Sequence, residues 1–156
     1  MKKIMMILAL AASMIGSASC EKYDDGRPSK DVRREFDKMY PDAWDVEWEF
    51  DGLYWEVDFE TGSRPVGIDR TAWYEVSGDW VRTRTELPLA SVPQKIKDYL
   101  AASEYGGMRL EENFVDFYET KNENWYVFEI YVGGVDTEVA VKENGEVSLT
   151  GYVLFK

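Results

Sequence analysis

Residues 43–60, AWDVEWEFDGLYWEVDFE, alternate between large apolar and acidic side chains on both sides of Asp51-Gly52. Alternation with a period of two is typical of strands that bury one face and expose the other. An Asp-Gly pair between two such runs predicts a hairpin with a two-residue turn. The apolar face carries Trp44, Val46, Trp48, Phe50, Leu53, Trp55, Val57 and Phe59. The acidic face carries Asp45, Glu47, Glu49, Glu56, Asp58 and Glu60.

This turn also predicts which residues face each other across the hairpin. With Asp51 and Gly52 at its centre, Glu47 lies opposite Glu56 and Asp45 opposite Asp58. Like charges in these positions repel each other weakly. The apolar face needs a cover, so the rest of the chain must supply one.

Two further patterns, one before and one after the hairpin, have the 3.6-residue period of short amphipathic helices. The first begins after Ser29, a predicted N-cap, and ends at Pro41. Its apolar positions are Val32, Phe36, Met39 and Tyr40. The second surrounds Pro93, with Ser91 and Gln94 as a predicted capping box. Its apolar positions are Val92, Ile96, Tyr99 and Leu100.

Each helix precedes four runs that read as strands with short connections. The first four are the two arms of the hairpin, IDRTAWYEV and WVRTRTEL, and the second four are RLEENFVDFYE, WYVFEIYV, VDTEVAVK and EVSLTGYVLF. Short connections force an antiparallel meander. We therefore predict an α+β fold made of a tandem αββββ repeat, residues 29–88 and 89–156, with both helices on one sheet face. The run NWYVFEIYV departs from alternation and predicts a strand that is covered on both faces in places.

The carboxylates then lie on the face that the helices leave open, together with two aromatic residues. In AWYEV, Trp73 and Glu75 point away from Ala72 and Tyr74, and Tyr54 shares that side. Two alternatives stay open for Trp73: an aromatic element that binds proteins or peptides, or burial by the neighbouring half. Arg82 and Arg84 are also expected to face outward and to neutralise part of the acidic face.

The N-terminus reads as an export signal. Residues 1–19 combine Lys2 and Lys3 with an apolar segment and small residues before Cys20, as in a signal peptide. The position of Cys20 resembles a bacterial lipobox, which implies a lipidated N-terminus followed by a tether over residues 20–28. The alternative is ordinary cleavage nearby, leaving a free thiol. Removal of residues 1–19 leaves 16 basic and 30 acidic residues, a charge of −14, which argues against nucleic acid and anionic membrane surfaces as partners.

Composition restricts the possible chemistry. The chain has no histidine and one cysteine, which excludes Ser-His-Asp and Cys-His catalysis and zinc sites that use histidine. No phosphate-binding glycine motif and no EF-hand loop is present. A glycosidase-like carboxylate pair would need a desolvating cleft, which a solvated sheet face does not supply. We therefore predict no enzyme activity, no cofactor and no dedicated metal site, with calcium binding by the carboxylates as an alternative.

Three motifs resemble the PepSY-like, beta-lactamase-inhibitor-protein-like family of exported Bacteroidetes proteins. They are F-x-x-x-Y-P at Phe36 to Pro41, VEWE at Val46 to Glu49, and LP-x-x-x-x-P-x-x-I-x-x-Y from Leu87 to Tyr99. The resemblance covers roughly residues 30–156. It implies a tandem αββββ fold whose sheet is concave on the side away from the helices, and it implies no general activity.

The sequence thus predicts a non-catalytic, exported outer-membrane lipoprotein, facing the periplasm or the cell surface. Its membrane contact would be the lipid on Cys20, and its partner a protein or peptide with a basic surface, in the manner of an inhibitor. The predicted contact residues are Asp45, Glu47, Glu49, Tyr54, Glu56, Asp58, Glu60 and Trp73. The alternative is a periplasmic sensor or calcium-binding module that uses the same carboxylates.

Overall fold

The structure is a computed structural model and describes residues 27–110 and 112–150. The predicted signal peptide, Cys20 and most of the predicted tether lie outside the described residues, as does the end of the last predicted strand. The first half contains α1 (Lys30–Met39), β1 (Trp44–Phe50), β2 (Tyr54–Thr61), β3 (Ile68–Glu75) and β4 (Trp80–Pro88). The second contains α2 (Gln94–Ala102), β5 (Arg109–Leu110), β6 (Phe114–Thr120), β7 (Asn124–Val132), β8 (Val135–Lys142) and β9 (Val147–Leu149).

All the strands form one antiparallel sheet in the order β1-β2-β3-β4-β6-β7-β8-β9, with β5 paired to β7 beyond the end of β6. The predicted α+β fold with antiparallel strands is therefore confirmed. The pairing of β4 with β6, from Arg82–Thr120 to Pro88–Phe114, joins the two halves edge to edge. The run RLEENFVDFYE, predicted as one strand, is divided into β5 and β6.

The two helices begin differently. Ser29 Oγ accepts a hydrogen bond from the Val32 amide at 3.3 Å, as predicted for an N-cap. The capping box predicted for α2 is wrong, because that helix starts at Gln94 with Pro93 as N-cap and no side-chain cap. Gln94 is thus the first helical residue rather than the third, and its amide group donates to Asp98 instead.

Both helices cover the same face of the sheet, which we call the helix face. Helix α1 buries Val32 and Phe36 against β1, β2 and β3, in a cluster completed by Val46, Trp48, Val57, Phe59, Ala72 and Tyr74. Helix α2 buries Ile96 and Leu100 against β6, β7 and β8, in a cluster completed by Val92 just before the helix and by Val115, Tyr126, Phe128, Ile130, Val139 and Val141. None of the helices in the described residues is long and apolar enough to cross a membrane.

The hairpin keeps the predicted faces but not the predicted register. Its turn is centred on Gly52 and Leu53, since Asp51 accepts at Oδ1 from the amides of Leu53 (2.8 Å) and Tyr54 (2.6 Å). Glu47 consequently pairs with Asp58, and Glu49 with Glu56. The predicted pairs Glu47–Glu56 and Asp45–Asp58 are wrong. Because the register differs by two residues, every side chain in the regular part keeps its face.

A β-bulge at the start of β1 changes the position of Trp44. The register shifts between Trp44 and Glu47, where Asp45 has a positive φ of 53°. Trp44 therefore pairs with Glu60 on the acidic face, with the Arg64 guanidinium 4.7 Å from its ring centroid. Its predicted place in the core is wrong, because the bulge reverses the alternation of the residues that precede it.

Candidate functional site on the open sheet face

We call the sheet face opposite the helices the open face. Residues paired across neighbouring strands share a face, so the registers assign its members row by row. One row runs Glu47, Asp58, Thr71, Arg84, Tyr118, Trp125 and Lys142. The row beside it runs Glu49, Glu56, Trp73, Arg82 and Thr120.

The structure thus brings the predicted acidic residues together on this face, including Glu60, which pairs with Asp69. Tyr54 is paired with Glu75 on the same side and is half-buried. Asp45, displaced by the bulge, lines the same depression as Glu47 and Asp58. The hairpin carboxylates are therefore one part of a larger acidic surface.

Sequence reasoning missed the open-face carboxylates of β4 and of the second half. Glu86 pairs with Asp116, and Glu129 with Glu138. The sequence signal was present in the alternation of β4 and β8, but the two halves had to be aligned edge to edge before these residues could be placed beside the hairpin. Basic residues on the same face include Arg82, Arg84 and Lys142.

An aromatic row crosses the middle of the open face. Trp73 and Tyr118 stack with centroids 6.5 Å apart and an interplanar angle of 23°, and Tyr118 and Trp125 stack at 5.9 Å and 18°. Trp125 also packs with Val127 and Ala140 in a small apolar cluster. Because Tyr126 and Phe128 are buried on the helix face, β7 is covered on both faces there, as the sequence predicted.

Trp73 is held within this row. Its side chain is 8% exposed, its Nε1 donates to Glu56 Oε2 at 2.6 Å, and the Arg82 guanidinium lies 4.4 Å from its ring centroid. Tyr118, its stacking partner, comes from the second half. Of the two alternatives for Trp73, the structure supports burial with help from the neighbouring half.

Two depressions flank β4 on the open face. The first has a volume of about 450 Å³, and its acidic lining consists of Asp45, Glu47, Asp58, Glu60 and Asp69. The second has a volume of about 210 Å³, and its acidic lining consists of Glu112, Asp116, Glu129 and Glu138. Arg84 and Glu86 of β4 line both.

Arg84 is fixed between the depressions. Its Nη2 donates to Thr71 Oγ1 at 3.0 Å, and Thr71 Oγ1 donates in turn to Asp58 Oδ1 at 2.6 Å. On the other side, Arg84 Nη1 lies 3.8 Å from Asp116 Oδ2. One guanidinium thereby contacts both depressions and separates their carboxylates.

Asp116, a carboxyl group of the second depression, has an altered acidity. Burial raises its pKa above the ordinary value, and the charges of Glu86, Glu138 and Glu112 add to the increase. Arg84 opposes the shift but does not cancel it. The second depression therefore holds a carboxyl group that would be stabilised in its ionised form by an added positive charge.

The open face presents charged side chains in shallow depressions rather than in an enclosed pocket. Within residues 27–110 and 112–150, no group of three or more acidic or cysteine side chains is arranged to hold a metal ion. The calcium alternative thus stays a prediction without support from the described residues. Wide, shallow depressions lined by carboxylates are suited to cationic groups on the surface of a larger partner.

Comparison with solved structures gives the same fold in several proteins of Bacteroides. A BLIP-like protein of Bacteroides fragilis matches with a TM-score of 0.65 and 23% identity, over 79% of this chain and 84% of that one. The fold is that of the BLIP-like proteins. A DUF2874 family protein of Bacteroides ovatus matches with a TM-score of 0.68 and 22% identity, over 84% of this chain and 95% of that one.

The description of a third matching structure refers to a cellular location. It is a candidate periplasmic protein of Bacteroides eggerthii, with a TM-score of 0.66 and 23% identity, over 78% of this chain and 86% of that one. No protein-family model matches the sequence, and the curated proteins give no significant match. The likeness to BLIP-like proteins confirms that part of the predicted resemblance, while its PepSY-like part stays a prediction.

Proposed function

We propose that this protein is a non-catalytic binding protein of the cell envelope, and that its open face takes a protein or peptide with a basic surface. The observation that carries the proposal is the set of open-face carboxylates that β1, β2, β3, β4, β6, β7 and β8 supply on both sides of Arg82 and Arg84. Surfaces of one charge raise the encounter rate with partners of the opposite charge and exclude partners of the same charge.

An envelope location is part of the same proposal. It is supported by the signal-peptide pattern of residues 1–19, by Cys20 after small residues, and by the periplasmic description of the B. eggerthii structure. The BLIP-like fold makes an enzyme one candidate for the partner, because the name refers to a protein that inhibits beta-lactamase. The partner class proposed here rests on charge and does not require an inhibitory role.

The test has two stages. The mature chain is first used to capture proteins from envelope extracts, and each captured protein is then purified and its binding kinetics measured directly. Glu47→Lys with Glu49→Lys is the informative variant, because both side chains are exposed on β1. Asp42→Lys with Glu104→Lys is the matched control, since it changes the same charge at residues outside the strands.

A partner that uses the open face should have an association rate that decreases as ionic strength rises. The rate should fall at least about tenfold in the Glu47 and Glu49 variant and much less in the control. A captured partner that binds both variants and the wild type at the same rate would exclude the open face as the binding surface.

A further inference from the structure

Two basic residues of β4, Arg82 and Arg84, lie at the centre of the acidic open face, next to Glu86 of the same strand. Arg84 lines both depressions, and Arg82, its neighbour on the same strand face, covers Trp73. A positive group of a partner is repelled where Arg82 and Arg84 lie and attracted by the carboxylates of the depressions on both sides of them. The electrostatic energy of a cation on the open face therefore has two minima rather than one, one in each depression.

We infer that the partner is bivalent and places one basic group in each depression, with the two groups on opposite sides of β4. This inference rests on the proposed function and specifies the partner's chemistry. A guanidinium or ammonium in the first depression meets Glu47, Asp58 and Asp69. One in the second meets Asp116 and Glu138, while its aliphatic stem can pack on Val127.

The sheet sets the distance between the two groups. The first depression is centred between β2 and β3, and the second between β6 and β7, by the strands that supply their linings. The two centres are three strand spacings apart, or about 14 Å at roughly 4.8 Å per spacing. Basic groups much closer than this cannot enter both depressions at once.

A peptide series of constant charge tests this distance. Each peptide carries two Arg-Arg pairs, separated by zero, three or ten prolines, so that the pairs are about 6, 15 or 37 Å apart in a polyproline II helix. A three-proline peptide with Gln in place of Arg controls for binding to the prolines. Affinity for the mature chain, in neutral detergent at low ionic strength, is measured by calorimetry.

Two variants, each of which replaces two carboxylates by amides, show whether each depression takes part in binding. Glu47→Gln with Asp69→Asn changes the first, and Glu112→Gln with Glu138→Gln changes the second. Asp42→Asn with Glu104→Gln removes the same charge elsewhere, and thermal unfolding checks that each variant is folded. All the changed side chains are exposed.

The expected result is that the three-proline peptide binds at least about tenfold more tightly than the zero-proline peptide, because its second pair binds at a high effective concentration. Either depression variant should abolish this advantage, and the control should retain it. Equal affinity for all spacings, or an advantage that survives in one depression variant, would overturn the bivalent inference and leave a basic partner in place. Failure of every arginine peptide to bind would overturn the proposed function as well.

Discussion

The indole Nε1 of Trp73 donates a hydrogen bond to the carboxylate of Glu56 at 2.6 Å, so one member of the acidic surface also supports the aromatic row. Glu56 is half-buried, and its cross-strand neighbour Glu49 is exposed. The two carboxylates face each other, but only Glu56 of the pair accepts the hydrogen bond from the buried N–H group of Trp73. Their substitution should therefore have unequal effects.

Glu56→Ala is expected to lower the free energy of unfolding by about 1 to 3 kcal/mol, because it leaves the Trp73 N–H buried without an acceptor. Glu49→Ala should change it by less than about 0.5 kcal/mol. Both variants remove the same repulsion between the pair, so urea denaturation of the two isolates the hydrogen bond. Glu56→Gln, which keeps an acceptor, should recover part of the loss, and equal stability of the two alanine variants would contradict this role.

Trp48 and Trp44 provide a test of the bulge. Trp48 is 4% exposed and contacts Phe36 edge-on at 5.3 Å, so Trp48→Ala should cost about 3 to 5 kcal/mol through the cavity it leaves. Trp44→Ala removes a half-buried ring from the open face and should cost less than about 2 kcal/mol. A larger loss in the free energy of unfolding for Trp48→Ala than for Trp44→Ala, measured by chemical denaturation, would support the bulge. A larger loss for Trp44→Ala would place Trp44 in the core.

Asp116 should make stability depend on pH. Its pKa is raised in the folded protein, so the folded state holds this proton more tightly than the unfolded state does. The resulting stabilisation is full below the ordinary pKa of 3.8 and is lost as pH rises through the raised value. Asp116→Asn should thus be more stable than the wild type at pH 7, by up to about 1 kcal/mol.

The difference between Asp116→Asn and the wild type should shrink as pH falls through the raised pKa of Asp116 and be smallest below about 4, where both carry a neutral side chain. Asp69→Asn, which removes one negative charge from an exposed position of the same face, is the control for the loss of charge. A wild type that is more stable than Asp116→Asn at pH 7 would mean that Arg84 outweighs burial.

Cys20 carries the predicted anchor. In the native host, the wild-type protein should partition into detergent and show the mass of acyl chains on Cys20, and Cys20→Ala should be released or remain unprocessed. Detergent phase separation measures the partitioning, and mass spectrometry measures the acyl mass on Cys20. A processed wild-type protein without acyl mass would contradict lipidation and favour ordinary signal-peptide cleavage.

Apart from the division of RLEENFVDFYE into β5 and β6, the sequence was sufficient for the element order. It was also sufficient for the faces of the regular strands, because alternation survives a register difference of two residues. It was not sufficient for the turn, where the Asp51 carboxylate binds the amides of Leu53 and Tyr54 and so moves the centre to Gly52-Leu53. The bulge at Asp45 left no pattern either, since it depends on a backbone conformation.

The candidate site was predictable only in its first half. Trp73 was assigned correctly to the acidic side, but its stacking on Tyr118 depends on the pairing of β4 with β6, which connects residues far apart in the chain. The second depression depends on the same pairing. Local periodicity contains no information about which two edges meet.

That pairing also determines how the protein should lose its structure. Seven residue pairs join β4 to β6, from Arg82–Thr120 to Pro88–Phe114, and the Trp73–Tyr118 stack crosses the same junction. Two units that each exposed a sheet edge could melt one after the other, but here each half supplies the hydrogen-bond partners of the other's edge strand. The halves should therefore unfold cooperatively in a single transition, and neither should persist once the chain is cut between them.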